Sequence, residues 1–127
     1  MPFVVAYAFA ATQAQKRNFI RDVTGAVCAA YGVEAATVAV YLFEIGVDDY
    51  GHAGETGETA PEKRVFIQFH ALSRPAERKR ALVEGITRAA STSLGVSGDI
   101  VAVYIHDAPP ENVAHGGVLL TDAGDDP

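Results

Sequence analysis

The amino terminus of this 127-residue chain could supply a base, because a proline directly follows the initiating methionine in "MPFVVAYAF". An α-amine has a pKa of about 8 before any perturbation, closer to neutrality than a lysine amine. An apolar environment lowers that pKa further by disfavouring the ammonium form, and Phe3 begins an apolar stretch. While Met1 is attached, the nitrogen of Pro2 is an amide with no basic lone pair. Since aminopeptidases remove methionine before small residues such as proline, we expect Pro2 to become a free amine.

Composition narrows the classes of function. Hydrophobic residues make up 49 % of the chain, and the formal net charge is −6. This acidic balance argues against binding to a nucleic-acid backbone or to an anionic membrane surface. No apolar run approaches the roughly 18 residues of a membrane span, and no basic residue precedes the apolar stretch 3–11, so neither a span nor a signal peptide is expected. The single cysteine, Cys28, excludes an intrachain disulfide, and we predict a cytoplasmic protein.

The chain contains an internal repeat at an offset of 63 positions, with no gap. The matches are Phe3 with Phe66, Ala8 with Ala71, Lys16 with Lys79, Arg17 with Arg80, Thr24 with Thr87, Gly32 with Gly95, His52 with His115 and Gly54 with Gly117, and "VAVY" recurs at 38–41 and 101–104. Matches this numerous at one offset indicate a duplicated unit. Because Pro2 falls on Val65, the fold itself does not require a proline there, which favours a functional reason for Pro2.

Each repeat predicts a β-α-β unit. The first has strands at 3–9 and 37–45, and a helix that begins at a Thr12–Gln15 capping box and ends at Gly32. The second has strands at 65–72 and 100–106, and a helix with Pro75 in its first turn and Gly95 at its end. The predicted buried helix residues are Phe19, Ile20, Val23, Ala26, Val27, Ala30 and Tyr31, then Leu82, Val83, Ile86, Ala89, Ala90 and Leu94.

The two units predict a single α+β domain over 1–127. Repeat one covers 2–58, a polar linker 55–64, repeat two 65–121, and a short acidic tail 122–127. Right-handed crossovers and a pseudo-twofold axis would give one four-stranded mixed sheet with two helices on one face. The other face would be bare and apolar, and we expect another subunit to cover it.

Several segments resemble the tautomerase superfamily. In the first repeat they are the initial "PF", "QKR" near the helix start, "FE" at the strand end, and "DDYGHAGE", similar to the family's glycine-rich hairpin. In the second, "QFHALSRPAERKRAL" resembles fused dehalogenases and malonate semialdehyde decarboxylase, and "VYIHDAPPENVAHGG" resembles the end of the cis-3-chloroacrylic acid dehalogenase domain. The chain looks like the fused members, which carry two copies of the 4-oxalocrotonate tautomerase unit, over residues 2–121.

The resemblance implies proline-based proton transfer between carbons of an enol, with no cofactor and no metal. In this family arginines hold the substrate carboxylate, and Arg74 lies at the strand-to-helix turn where the family has one. That position is also near a helix start, a natural anion site, and its equivalent in the first repeat is Ala11. We therefore predict Pro2 and Arg74 as catalytic residues. The alternative for Arg74 is a surface arginine that supports the helix start.

Three further residues are implied as substrate-binding. Tyr50 lies where the tautomerase has a phenylalanine that walls the active site; the alternative is a rim aromatic. Tyr104 matches a substrate-orienting tyrosine of the cis-dehalogenase; the alternative is a packed strand residue, since Tyr41 has the same place in the first repeat. His115 lies where that dehalogenase has a water-activating glutamate, although its equivalent His52 favours a structural role for both histidines.

The chain also departs from the family pattern. Ala39 and Ala102 replace the second-strand arginine of the tautomerase, Thr37 replaces the decarboxylase aspartate, and Ala76 replaces that enzyme's second arginine. With fewer arginines, a monocarboxylate or a neutral enolisable carbonyl compound fits better than a dicarboxylate.

The function predicted from the sequence is that of a tautomerase or isomerase acting as a homotrimer. The alternatives are a non-catalytic small-molecule-binding or assembly module with the same fold, a proline-dependent lyase or hydratase, or another ferredoxin-like α+β dimer such as a cofactor-free monooxygenase.

Overall fold

Two 19-residue helices pack on one face of a four-stranded sheet in this computed structural model, which describes residues 1–123. In chain order the elements are β1 (Phe3–Ala8), α1 (Gln13–Tyr31), β2 (Ala39–Glu44), β3 (Gly51–His52), β4 (Glu55–Thr56), β5 (Val65–Ala71), α2 (Ala76–Leu94), β6 (Val101–Asp107), β7 (Ala114–His115) and β8 (Val118–Leu119). The sheet order is β2-β1-β5-β6. Within each repeat the strands are parallel, and β1 pairs antiparallel with β5. The predicted mixed sheet is confirmed.

The helix ends follow the signals in the sequence. The Thr12 hydroxyl accepts the backbone N–H of Gln15 at 3.1 Å, and the Gln15 side chain accepts the N–H of Thr12 at 2.8 Å. Gly32 and Gly95 close the helices with φ of 69° and 68°, in the left-handed region that favours glycine. One prediction was wrong by a residue: Pro75 precedes α2 as its N-cap, because its ψ of 156° is extended and the helix begins at Ala76.

The core lies between the helices and the sheet. Alternate strand residues point into it, because side chains of a strand alternate between faces. The fully buried set includes Val4, Ala6, Phe19, Val23, Val27, Ile67, Phe69, Leu82, Ile86 and Ala90. The helices approach closely at Gly85, where an added Cβ would lie 3.1 Å from the Cβ of Ala26. The prediction that Ile20 is buried was wrong: it is 39 % exposed, because it lies beside the buried stripe of α1.

The same ion pair fixes each helix to its following strand. Lys16 contacts Glu44 at 2.9 Å, and Lys79 contacts Asp107 at 2.7 Å. The hydrogen bond from each lysine is the main cause that lowers the pKa of its carboxyl partner. The duplication therefore extends to side-chain contacts.

The sheet face opposite the helices, here the open face, carries two rows of rings. The histidine row runs Tyr41, Phe3, His70 and His106, with successive ring centroids 6.4, 4.5 and 4.5 Å apart. The tyrosine row runs Phe43, Tyr7, Phe66 and Tyr104, with spacings of 5.4, 6.1 and 5.4 Å. A shift of 63 residues relates each position of one row to a position of the other, for example Phe3 to Phe66 and Tyr7 to His70. Four of these side chains, Phe3, Tyr41, Phe43 and Tyr104, are 38–60 % exposed, so the open face is apolar and uncovered in the single chain.

A small hairpin follows each second strand. The first joins β3 to β4, and the second joins β7 to β8. Residues 55–59, placed in the linker from the sequence, form β4 and a turn of 3-10 helix, and residues 60–64 connect to β5. Of the predicted tail 122–127, residues 124–127 lie outside the described part of the chain. Among the described residues, no helix is both long and apolar enough to cross a membrane.

Candidate active site

Pro2 lies buried immediately before β1. Its carbonyl oxygen accepts the backbone N–H of Ala39 at 3.4 Å, which ties the start of β1 to β2. Because Phe3 pairs with His70 across the antiparallel contact, Pro2 sits beside the carboxyl end of β5. The strand pairing thus holds the nitrogen of Pro2 at one end of the two central strands, where β1 begins and β5 finishes.

A cavity of about 370 Å³, here the amino-terminal cavity, opens at this end of the sheet. Its lining residues are Met1, Phe3, His70, Ala71, Leu72, Ala108, Asn112, Val113, Ala114 and His115. Met1 and Phe3 flank Pro2 in the chain, whereas residues 108–115 belong to the hairpin region of the second repeat. The hairpin of one repeat therefore covers the first strand of the other.

A second cavity of about 670 Å³, here the tyrosine cavity, lies at the equivalent place for β5. Its lining residues are Tyr7, Ile45, Tyr50, Arg64, Phe66, Gln68, Ala102 and Tyr104. The offset relates Arg64 to Met1, Tyr50 to Val113 and Tyr7 to His70. The two cavities share no lining residue, so they are separate sites in one chain.

The structure brings together only part of the predicted site. His115 lines the amino-terminal cavity beside Met1 and Phe3, whereas Tyr50 and Tyr104 line the tyrosine cavity. The antiparallel pairing of β1 and β5 causes this separation, because it turns the hairpin of the first repeat toward Arg64.

Sequence reasoning missed several residues of the amino-terminal cavity, among them His70, Asn112 and Val113. Val113 takes the place at Pro2 that Tyr50 takes at Val65, and Asn112 beside it adds an amide. The offset between Tyr50 and Val113, combined with the predicted twofold relation, contained the signal for Val113. Asn112 gave no signal of its own, since its equivalent Asp49 does not line the tyrosine cavity.

Arg74 does not line either of these cavities. Its guanidinium donates to the carbonyl oxygen of Tyr31 at 3.4 Å from both Nε and Nη2, and to the carbonyl oxygens of Leu72 and Ser73 at 3.3 and 3.2 Å. The guanidinium carbon also lies 4.9 Å from the centre of the Tyr31 ring, a cation–π distance. In this conformation Arg74 caps the carboxyl end of α1, where a cation interacts favourably with the helix dipole.

His70 is the titratable group most closely packed at the amino-terminal cavity. Its ring stacks between Phe3 and His106, each 4.5 Å away, and its Nε2 lies 3.3 Å from the Gln68 side-chain oxygen. Burial lowers the pKa of His70, and the neighbouring charge of His106 lowers that pKa further. The lowered pKa favours the neutral form of the His70 imidazole. No group of three or more potential metal ligands occurs within residues 1–123.

Comparison with known proteins identifies the family. The family model of the tautomerase enzymes matches residues 65–123. A 2-hydroxymuconate tautomerase of Comamonas testosteroni is 38 % identical over 60 residues, which are 46 % of this chain and 95 % of that protein. The chain belongs to the tautomerase family. It is accordingly an enzyme of the tautomerase and isomerase type, as the sequence predicted.

Solved structures extend the likeness to both repeats. A native fused 4-OT is 25 % identical, with a TM-score of 0.89 over 96 % of this chain and 98 % of that one. The symmetric trimer of the wild-type fused 4-OT Q0 is 26 % identical, with a TM-score of 0.86 over the same shares. The macrophage migration inhibitory factor of Toxoplasma gondii, at 19 % identity and a TM-score of 0.77 over 92 % of this chain and 98 % of that one, shares the fold. The predicted membership among fused, two-repeat tautomerases is confirmed.

Proposed function

We propose that this tautomerase works without a cofactor and that Pro2, freed of Met1, is its general base for a small carbonyl or monocarboxylate substrate. The observation that carries this proposal is the place of Met1, which lines the amino-terminal cavity next to Phe3. Removal of Met1 would expose the amine of Pro2 to this cavity and enlarge the cavity at the same step. The equivalent Val65 follows Arg64 in mid-chain, so only one amine of this kind exists per chain.

The proposed chemistry is a proton transfer. The neutral amine of Pro2 takes a proton from one end of the enol or dienol system, and the resulting ammonium returns it to a carbon at the other end. The electron pair of the broken bond moves into the conjugated system, and the carbonyl forms. The apolar walls from Phe3, Ala71 and Val113 favour the neutral amine. The proline ring fixes the direction of the lone pair, which aids positioning.

Polar groups near Pro2 stabilise the substrate oxygen in this proposal. Asn112 and His115 line the same cavity and can donate hydrogen bonds to a carbonyl or enolate oxygen. Arg74 lies at the same end of the sheet, three residues after Ala71, but its guanidinium is held at the Tyr31 carbonyl. A role for Arg74 as the substrate clamp requires its side chain to turn away from α1 when an anionic substrate enters.

We further propose that the chain acts as a homotrimer. The open face exposes the histidine and tyrosine rows, an apolar area that a monomer rarely leaves uncovered, and a structural relative of similar length forms a symmetric trimer. Tyr50 and Tyr104 line the tyrosine cavity in their own chain, so they reach a Pro2 site only if a second chain supplies them. Light scattering should give three times the 13.4 kDa of one chain. The cytoplasmic location stays a prediction.

Kinetics of two matched variants test the role of Pro2. Pro2→Ala should lower kcat/KM for phenylenolpyruvate, a monocarboxylate enol, by about 100-fold or more, since a positioned general base contributes 10²- to 10⁴-fold. Val65→Ala changes the equivalent residue of the second repeat and should leave kcat/KM nearly unchanged. Intact mass establishes in each preparation whether Met1 is absent. Full activity of a Met1-free Pro2→Ala enzyme would disprove the proposal.

A second candidate is a non-catalytic small-molecule-binding module. The observation that favours it is the shortage of free cations at Pro2: Ala39 and Ala102 stand in the second strands, and Arg74 is engaged with α1. Saturable binding of phenylenolpyruvate by Met1-free wild-type protein, with no turnover above the buffer rate, would support this candidate.

A further inference from the structure

The open face contains one pair of side chains that can gain a charge near neutral pH. The strand positions on this face hold apolar and aromatic residues, Gln68, and the two histidines His70 and His106. Within the four described strands of the sheet, no aspartate, glutamate, lysine or arginine occupies a position on this face. Tyrosine titrates at about pH 10, whereas histidine titrates at about pH 6.5. The charge of the open face between about pH 5 and 8 therefore depends on His70 and His106, here the histidine pair.

The two imidazoles of the histidine pair lie against one another. His70 and His106 are partners in the parallel register of β5 and β6, and their rings stack with centroids 4.5 Å apart and planes at 10°. On its other side His70 stacks on the uncharged ring of Phe3, which β1 contributes, also at 4.5 Å. Two imidazolium ions at this separation would repel one another. The stack therefore favours the neutral forms.

The charged groups around the histidine pair do not compensate a proton on it. Asp107 ends β6, but its carboxylate points to the helix side of the sheet and binds Lys79 of α2 at 2.7 Å. The polar neighbour on β5 is the uncharged Gln68, whose side-chain oxygen lies 3.3 Å from the pair. The wall of the amino-terminal cavity adds His115 and the amino terminus at Met1, and both of these groups are positive when protonated. Among the described residues, these neighbours oppose protonation of the pair.

We propose that the histidine pair makes assembly pH-dependent: a second copy of this chain covers the open face while the pair is neutral, and proton uptake by the pair separates the chains. This inference rests on the proposed homotrimer. A covering subunit would remove the pair from water, and an ion buried without an acidic partner is unfavourable. In the single chain His106 is exposed, so its imidazolium is hydrated there.

The sign of the effect follows from linkage between protonation and assembly. Because the separated chain binds protons on the histidine pair more readily than the covered chain does, assembly is strongest above the ordinary histidine pKa of about 6.5 and weakens as the pH falls below it. One proton that must leave each chain on assembly weakens assembly about tenfold per chain at about pH 5.5. Three chains together should therefore lose a factor of about 1000 in their association constant.

Analytical ultracentrifugation of full-length wild-type protein at several pH values tests this switch. At about 1 μM protein and about pH 8, the mass should be three times the 13.4 kDa of one chain. At about pH 5.5 the mass should fall toward that of one chain, and a concentration series at each pH gives the association constant. Far-UV circular dichroism at the same pH values shows that the separated chains remain folded.

Matched variants assign the effect to the histidine pair. The double variant His70→Tyr and His106→Phe copies Tyr7 and Phe43, the equivalent residues of the tyrosine row, and should stay trimeric from about pH 8 to 5.5. His106→Phe alone changes an exposed position and should reduce the pH dependence, so it decides the question if the double variant does not fold. His52→Gln removes a histidine outside the open face and should separate as the wild type does.

The outcomes distinguish the switch from the trimer on which it rests. A wild-type trimer that persists down to about pH 5.5 would overturn the switch and leave the homotrimer standing. Separation of the double variant over the same range as the wild type would overturn it too, because groups outside the pair would then control assembly. A single-chain mass at about pH 8 would refute the homotrimer itself, and this inference with it.

Discussion

The amino-terminal cavity and the tyrosine cavity are built from equivalent segments of two repeats, yet they differ at most positions that carry chemistry. Met1 and Pro2 correspond to Arg64 and Val65, His70 corresponds to Tyr7, and Val113 corresponds to Tyr50. The backbone that surrounds each cavity is the same: the start of one first strand, the end of the other, and a hairpin. Duplication has kept this scaffold, and side-chain changes alone have separated the two ends.

The difference between Pro2 and Val65 limits the proposed chemistry to one end of the sheet. A terminal amine can occur only once per chain, so the second end of the sheet cannot repeat the proposed chemistry. That end instead carries Tyr7, Tyr50 and Arg64 where the first end has His70, Val113 and Met1. Variants that exchange or remove the differing residues therefore test the two ends against one another.

The largest expected effect concerns the packing beneath the amino-terminal cavity. Phe69 is fully buried and packs edge-on against Tyr31, with centroids 4.9 Å apart, whereas the equivalent pair in the other repeat is Ala6 and Leu94. Phe69→Ala should lower the free energy of unfolding by about 3–5 kcal/mol. Urea unfolding at one fixed protein concentration measures this loss.

The control for this variant is Leu94→Ala, which removes the counterpart of Tyr31. Leu94 is only partly buried, so the loss should be smaller. Equal losses in the two variants would contradict the view that one end rests on an aromatic pair that the other end lacks.

The next effect concerns Arg74, whose equivalent is Ala11. If Arg74 turns to the substrate as proposed, Arg74→Ala should lower kcat/KM by about 10- to 100-fold and the stability by about 1 kcal/mol. Arg78→Ala is a matched control, because Arg78 also donates to the Tyr31 carbonyl, at 3.4 Å. Arg78→Ala should reduce stability without changing kcat/KM. Identical behaviour of the two variants would show that Arg74 only caps α1.

The smallest expected effect is a pH dependence of stability, which the histidine row should show and the tyrosine row should lack. Because the pKa of His70 is lowered below its ordinary value of 6.5 in the folded protein, the unfolded chain binds a proton more readily than the folded chain. Stability should therefore fall as the pH drops through 6.5, until the pH passes below the folded pKa. His70→Tyr, which copies Tyr7, should flatten this part of the curve of stability against pH.

The reverse exchange, Tyr7→His, should add a similar dependence to the tyrosine row, because Phe43 and Phe66 stack on that position. Denaturation at several pH values between about 5 and 8 measures both effects. A curve that His70→Tyr leaves unchanged would contradict the assignment of this dependence to His70.

Much of the fold could be predicted from the sequence because its signals are local and occur twice. The Thr12 cap, the two glycine stops and the β-branched strands define the elements, and the repeat gives the twofold relation that orders the sheet. Local patterns do not fix details that depend on neighbours. The sequence predicts Pro75 inside the first turn of α2, whereas it is the N-cap one residue before the helix. Ile20 lies outside the buried stripe although its spacing fits the helix.

The candidate site was harder to predict because it combines distant segments. The family resemblance implies Tyr50 at the active site, but the antiparallel contact of β1 with β5 brings Val113 to the Pro2 end instead. The conformation of Arg74 could not be read from its position either. Its long side chain can take many conformations, and the packing against Tyr31 shows that it contacts the end of α1.

The chemical state of Pro2 is tested most directly by covalent labelling. Wild-type protein is incubated with a 3-halopropiolate, an electrophile that the family resemblance predicts will modify the proline amine, and peptide mass mapping locates the label. We predict one label per chain, on Pro2, in molecules that have lost Met1 and in no others. Met1-free protein that stays unlabelled at Pro2, or that carries its label only elsewhere, for example at Cys28, would contradict a reactive proline amine at this end of the sheet.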